Sequence, residues 1–144
     1  MKTSFFSKES VDALDKSLRE ALKAVADRHG IAVKVKQFSY RTESCEISLE
    51  CAVLREDGEA MTREAINFRD RAARYNLDPA LLFKAFTGHD GKRLKLIGLN
   101  PKARNNPFVI RDESGTVYAA DESVIRDGFG LPERRLSVGQ LRNS

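Results

Sequence analysis

The stretch Ser44–Val53, with the sequence SCEISLECAV, places apolar residues at its odd positions and polar or small residues at its even positions. A period of two indicates a β-strand with one buried face. The run Ile31–Lys36 alternates in the same way, and the polar residues Tyr40–Glu43 lie between the two runs. The sequence therefore predicts an antiparallel β-hairpin. Its outer face carries opposite charges on the two strands, Lys34 and Lys36 on one and Glu46 and Glu50 on the other.

A helix is predicted over Lys8–His29, directly before the hairpin. Ser7 is a good N-cap for it, and Gly30 is a good C-terminal stop. We expect the apolar face of the hairpin to cover the apolar stripe of this helix. The stripe residues recur three and four positions apart: Val11, Leu14, Leu18, Leu22 and Val25.

The chain has two cysteines, Cys45 and Cys51, on the same predicted strand. A rise of about 3.3 Å per residue separates their Cα atoms by roughly 20 Å, too far for a disulfide. Both fall on the apolar parity of the strand, so we expect two buried, reduced thiols. This use of cysteine fits a reducing compartment.

Two further helices are predicted after the hairpin, over Thr62–Tyr75 and Pro79–Phe86. Asp78 and Pro79 form an N-cap followed by a first-turn proline. From Gly88 onward, short apolar runs alternate with turns, which indicates a small β-rich, barrel-like unit. Its predicted strands are 93–99, 107–111 and 116–120, and a short helix over 122–126 follows, capped by Asp121.

These elements give an α+β fold. An N-terminal helix packs on an antiparallel β-hairpin, two further helices follow, and a small β-rich unit precedes a tail. We predict three parts: a helix–hairpin–helix domain at 1–87, the β-rich unit at 88–127, and an extended C-terminal tail at 128–144. In that tail, the predicted apolar anchors for a partner are Leu131, Leu136 and Leu141.

Composition limits the class of protein. A hydrophobic content of 41% and a charged content of 32% are typical of a soluble globular protein. No apolar run approaches the roughly 18–20 residues that a membrane span needs, so no membrane partner is expected. The start MKTSFFSKES lacks the apolar core of a signal peptide, so we do not expect secretion.

The segment Lys92–Arg111 is the most basic part of the chain and contains no acidic residue. Its cations and amides are suited to phosphate groups or to acidic side chains of a protein. A solvated loop balanced by nearby acids is the third possibility. Phe108 and Tyr118 are expected in the core, which leaves few aromatic platforms for bases. The candidate binding residues are Arg93, Lys95, Asn100, Lys102, Arg104 and Asn105.

No catalytic or metal-binding pattern stands out. His29 ends the first helix and His89 lies in a turn, so the histidines and cysteines lack the spacing of a zinc site. The run Gly88–Lys92 differs from a phosphate-binding loop because its glycines are too close and Arg93 follows the lysine. We expect neither enzyme activity nor a cofactor or metal.

The chain resembles a group of small bacteriophage- and prophage-encoded proteins, mostly uncharacterised. The resemblance rests on the helix–hairpin–helix start, on the link Tyr75–Leu77, and on the segment Leu96–Arg104, followed by Pro107 and a Gly-turn hairpin. It covers about residues 7–126. Residues 91–124 also look like a small barrel of the KOW or Src-homology type. The final strand departs from the group, because it ends in Ala119–Asp121 where the group often has basic and aromatic residues.

The resemblance implies a phage origin, with work in the host cytoplasm, in the virion, or both. The first hypothesis is a non-catalytic adaptor that docks onto a protein partner, either a virion subunit or a host factor. The alternative is a nucleic-acid-binding protein that uses the basic segment 92–111.

Overall fold

The computed structural model describes residues 3–133. The chain forms two compact units, Met1–Thr62 and Arg63–Ser144. The first holds a helix and a hairpin, and the second holds a four-stranded antiparallel sheet with helices. The predicted α+β class is confirmed. Among the described helices, none is both long and apolar enough to cross a membrane.

The first unit consists of α1 (Lys8–His29), β1 (Ile31–Tyr40) and β2 (Cys45–Val53). The limits of α1 are those predicted, because both of its ends are fixed by local chemistry. The Ser7 side chain accepts a hydrogen bond from the backbone N–H of Ser10. Gly30 ends the helix with φ 63, a left-handed conformation that glycine adopts without a steric cost.

The hairpin register brings the expected charges together in part. Lys34 lies opposite Glu50, and the Lys36 ammonium lies 3.8 Å from the Glu50 carboxylate. A β-bulge between Val35 and Gln37 then shifts the register. Glu46 therefore lies opposite Ser39 rather than near a lysine of β1.

The helix covers the hairpin less completely than expected. Its main contacts are with β1, and of its stripe only Val11 is buried. On β2, Leu49 is 46% exposed and Val53 is 69% exposed. The expectation of two buried thiols was wrong: Cys51 is exposed and Cys45 is half-buried, both of them free. One helix over two strands leaves part of the apolar face open.

The second unit begins with α2 (Arg63–Arg71), which continues as the 3₁₀ turn Ala72–Tyr75. A second 3₁₀ turn, Pro79–Leu81, leads into the sheet. The strands lie in the order β3-β4-β5-β6, so each pairs with its neighbour in sequence. The remaining elements are β3 (Ala85–Thr87), β4 (Arg93–Leu99), β5 (Phe108–Asp112), β6 (Val117–Ala120) and α3 (Glu122–Gly128).

The helix predicted over 79–86 is only one 3₁₀ turn long. Phe83 has a φ of 65, which no α-helix accommodates, and its N–H donates to the Leu96 carbonyl at 2.7 Å. The chain is thereby drawn against β4 and continues as β3. Pairing with the sheet is what shortens the helix.

The core of the second unit lies between α2 and the sheet. Phe68 and Phe108 are fully buried and meet edge to face with ring centroids 6.3 Å apart. α2 approaches β4 so closely that a β-carbon on Gly98 would lie 2.6 Å from Cβ of Glu64. Glycine is therefore required there by packing.

Residues beyond α3 also belong to this unit. The Phe129 ring lies 5.0 Å from the Phe86 ring, centroid to centroid. The N–H of Leu131 donates to the Arg126 carbonyl at 2.7 Å. The two compact units do not define which segments fold independently. The predicted divisions after residues 87 and 127 therefore stay predictions.

Candidate functional site

Three cations gather on the outer face of the four-stranded sheet. Arg93 and Lys95 lie two positions apart on β4, so their side chains lie on the same face. The register places Arg111 of β5 directly opposite Lys95. The other face of these strands is buried, as Leu96 at 0% and Ile110 at 6% exposure show. We call Arg93, Lys95 and Arg111 the basic cluster.

The basic cluster lines a concave pocket of about 300 Å³. Arg93 is exposed, whereas Lys95 and Arg111 are half-buried. Acidic side chains stand at the same pocket. The full lining is Ala85, Arg93, Leu94, Lys95, Arg111, Asp112, Glu113 and Gly115.

A β-bulge in β4 creates the cluster. Leu99 pairs with Phe108, and an uninterrupted register from there would bring Lys95 opposite Asp112. The irregularity between Leu96 and Gly98 moves Lys95 one residue along, opposite Arg111. Like charges directly opposite one another destabilise a strand pair. The register thus opposes two cations where a regular hairpin would pair a cation with an acid.

Asp112, at the rim of the pocket, is held as a carboxylate by the turn that follows β5. The Ser114 hydroxyl donates to it at 2.6 Å and lowers the pKa of this carboxyl group below its ordinary value. The Thr116 N–H, at 3.0 Å, and the Tyr118 hydroxyl, at 3.1 Å, act in the same direction. The site therefore presents a fixed negative charge beside its cations.

The structure separates the other predicted binding residues from the basic cluster. They lie in the loop 100–107, at the opposite end of β4. A strand of this length places that loop about 20 Å from Arg93. Asn100 shapes the loop: its side-chain oxygen accepts from the Lys102 N–H at 3.1 Å. All four predicted binding residues of the loop are exposed: Asn100, Lys102, Arg104 and Asn105.

The sequence did not single out Arg111 as a site residue. It lies in the basic segment, but its place opposite Lys95 depends on the bulge. The bulge lies beside Gly98, where α2 approaches β4 in a tertiary contact. The glycine within an apolar strand is the one local signal of this irregularity.

Of the predicted tail anchors, Leu131 is half-buried and bonded to α3 through its backbone. Leu136 and Leu141 lie outside the described residues.

Arg126 is a buried cation that the sequence did not single out, with 6% of its surface exposed. Its Nε donates to Glu122 at 2.8 Å, and its terminal nitrogens donate to the carbonyls of Pro132 and Tyr75. This side chain joins α3 to the end of the first 3₁₀ turn. Its hydrogen bonds are all internal, so its role is structural.

An exposed contact joins His89 and Asp127, with Nε2 and Oδ2 3.3 Å apart. Thr87 and Val124 lie beside it. Within residues 3–133, no group of His, Cys, Asp and Glu side chains is arranged to hold a metal ion.

Comparison with known proteins gives no relative for this chain. No protein-family model matches it, and neither a curated protein nor a solved structure matches it significantly.

Proposed function

We propose that this chain is a non-catalytic binding protein that docks onto an acidic surface of a protein partner through the basic cluster. The observation that supports this function is the opposition of Lys95 and Arg111 across β4 and β5. An acidic side chain of the partner seated beside them would attract both cations at once. Arg93 adds a planar donor group suited to a carboxylate.

The acids at the pocket favour a protein over a nucleic acid. Asp112 and Glu113 line the same cavity as the three cations, and hydrogen bonds hold the pKa of Asp112 below its ordinary value. A polyphosphate chain would be repelled by these carboxylates, whereas a protein surface can offer both signs of charge. Val117, 51% exposed on the neighbouring strand, offers apolar contact nearby.

Nucleic-acid binding is the second candidate, and the loop 100–107 is the feature that favours it. Lys102 and Arg104 are exposed there, about 20 Å from Arg93 along the hairpin. A nucleic-acid strand that lay along the β4–β5 hairpin would meet Arg93 at one end and the cations of the loop 100–107 at the other. Its affinity would fall steeply with salt.

The phage resemblance adds the biological setting to the proposal. In that setting the protein is an accessory of the virion or a binder of a host factor, and it works in the host cytoplasm, in the virion, or in both. It needs no cofactor, since recognition rests on side-chain charge and shape. The proposed phage origin rests on the resemblance, and the proposed binding of an acidic surface rests on the basic cluster.

A binding titration distinguishes the two candidates. The probes are a fluorescent peptide of mixed Glu, Asp and Leu, and a labelled single-stranded DNA, each at about 50 and 200 mM salt. The variant Arg93→Glu/Lys95→Glu tests the basic cluster, and Lys102→Glu/Arg104→Glu is the matched control with the same charge change. We expect peptide binding to be lost in the first variant and kept in the second.

DNA binding that is abolished by the loop variant would select the nucleic-acid function instead. Peptide binding unaffected by Arg93→Glu/Lys95→Glu, or absent from the wild-type chain, would contradict the proposed site.

A further inference from the structure

The first unit leaves an open apolar face. Leu14 and Val25 of α1 are 37% and 44% exposed, and Leu49 of β2 is 46% exposed. Cys51 and Val53 continue the β2 column on the same side of the hairpin. We call Leu14, Val25, Leu49, Cys51 and Val53 the open face.

The flank of α1 that carries Leu14 and Val25 has no charge over most of its length. At 3.6 residues per turn, every charged side chain from Lys8 to Asp27 falls within about 140° of the helix circumference. Ser10, Ser17, Ala21 and Ala24 lie on the other side, next to Leu14 and Val25. A solvated helix flank normally carries charges. This one has the small, uncharged residues that let another helix approach closely.

The outer edge of β2 presents backbone groups in the same region. The Val53 carbonyl accepts from the Met61 N–H at 2.8 Å, so the backbone groups of Val53 point away from β1. The backbone N–H and C=O groups of successive residues point to alternate edges of a strand. Those of Leu49 and Cys51 therefore also point away from β1. Within the part of the chain that the structure describes, β1 and β2 form a two-stranded sheet. The segment 59–61 pairs with this edge beyond Ala52, through the Leu54–Ala60 bridge, and the edge from Cys45 to Ala52 has no neighbouring strand.

We infer that a second copy of this chain pairs with β2, antiparallel and about a two-fold axis at Leu49. The result is a four-stranded sheet with both α1 helices on its apolar face, flank against flank. Leu49 meets Leu49 of the second copy, and Ile47 meets Cys51. The open face and the strand edge are then covered by the same partner. This inference does not depend on the proposed function of the basic cluster.

Charge selects this register and supports a second copy as the occupant. With the axis at Leu49, Glu50 lies opposite Ser48 of the second copy, and Glu46 lies opposite Ala52. An axis at Ser48 would oppose Glu46 to Glu50, and an axis at Glu50 would oppose that residue to itself. Like charges directly opposite are destabilising. The β2 sequence is therefore compatible with its own antiparallel copy.

The available area is sufficient for a specific contact. The free strand edge from Cys45 to Ala52 is about 25 Å long, and the helix flank is about 30 Å long. The contact strip between the two copies is about 17 Å wide, the sum of one strand spacing and one helix diameter. The strip amounts to on the order of 500 Å² per copy, or about 1,000 Å² in total, which is the lower limit for a specific interface.

The test is the mass of the full-length protein by light scattering, at concentrations well above micromolar. We expect a particle of twice 16.2 kDa. Leu49→Lys should give the single-chain mass, because two lysines would meet at the axis. Ser48→Lys is the matched control and should keep the double mass, since the new lysine faces Glu50 of the second copy.

Leu49 is half exposed, so Leu49→Lys should retain the circular dichroism of the wild-type chain. A wild-type particle of 16.2 kDa would overturn the inference and leave the open face to a different protein. A double mass that persists in Leu49→Lys would place the dimer contact elsewhere and would overturn it equally.

Cross-linking tests the register. In a chain carrying Cys45→Ser and Cys51→Ser, the added change Leu49→Cys should give a covalent dimer under mild oxidation. A directly opposed hydrogen-bonded pair has its Cα atoms about 5.5 Å apart, within disulfide range. Ser48→Cys in the same background should not cross-link, because Ser48 faces Glu50. The reverse result would contradict the axis at Leu49.

Discussion

Phe108 and Leu49 are both large apolar residues on antiparallel strands, yet Phe108 is fully buried and Leu49 is 46% exposed. The difference follows from what covers each sheet. Four strands in the second unit pack against α2, whereas two strands in the first unit share one helix. Of the buried apolar residues that the structure describes, only Val11, Val35 and Ala52 belong to the first unit. The second unit buries large apolar residues on its own, whereas the first leaves part of its apolar face exposed.

The largest expected effect is the loss of the aromatic centre of the second unit. Phe108→Ala should lower the free energy of unfolding by about 3–5 kcal/mol, because it leaves a cavity between Phe68 and Tyr75. Urea denaturation measures this change. Val117→Ala, on a residue 51% exposed, is the control and should change stability by less than about 1 kcal/mol. Equal losses in the two variants would contradict the assignment of the core.

Removal of the buried cation should come next. Arg126→Met is expected to cost about 2–3 kcal/mol, because it removes a buried hydrogen-bond donor from the carbonyl of Tyr75 and from the carboxylate of Glu122. The double variant with Glu122→Gln should recover part of the loss, since the charge that Arg126 faced is then absent. Thermal unfolding of the single and double variants checks this coupling. Additive losses would show that the pair does not act as a unit.

A smaller effect is expected where α2 meets the bulge. Gly98→Ala should destabilise the second unit by about 1–3 kcal/mol, because its new methyl group overlaps Glu64. Gly58→Ala is the control: its surroundings are open, and its cost of about 1 kcal/mol comes from a φ of 82.

Gly98→Ala should also weaken acidic-peptide binding, because the bulge aligns Lys95 with Arg111. Unchanged peptide affinity in a destabilised Gly98→Ala chain would separate the bulge from the binding site.

The smallest expected effect is one of pH on the hairpin that follows β5. Hydrogen bonds lower the pKa of Asp112 in the folded chain, the Ser114 hydroxyl first among them. The stabilisation is complete above the ordinary aspartate pKa of about 3.9 and is lost as pH falls below it. Melting temperatures at about pH 6 and pH 3 should therefore differ less in Asp112→Asn than in the wild-type chain. An equal drop in both would assign acid sensitivity to other carboxyl groups.

Local chemistry explains what was predictable from the sequence. The limits of α1 follow from Ser7 and Gly30, which act on their own helix ends. The hairpin follows from ten residues of strict alternation. The α3 helix follows from Asp121, whose side chain accepts from the Val124 N–H as expected of an N-cap. Each of these signals depends on neighbours within a few positions.

Tertiary contacts explain what was not predictable. The pairing of β3 with β4 overrode the helix expected over 79–86. The register shift that brings Arg111 to the basic cluster lies where α2 approaches Gly98, a contact between residues more than 30 positions apart. The exposure of Cys51 depends on how far one helix reaches across two strands. In all three cases the structure depends on a contact between residues that are far apart in sequence.

The most direct test of the contrast between the two units is amide hydrogen exchange, resolved by residue and measured over a range of protein concentrations. The amides of Leu49 and Cys51 point away from β1, and no strand within residues 3–133 pairs with them, so a second copy would be their source of protection. We expect their protection to rise with concentration, while the amides of Leu96 and Ile110 in the second unit stay protected at every concentration. Rapid exchange of Leu49 and Cys51 at all concentrations would contradict the pairing of β2 with a second copy.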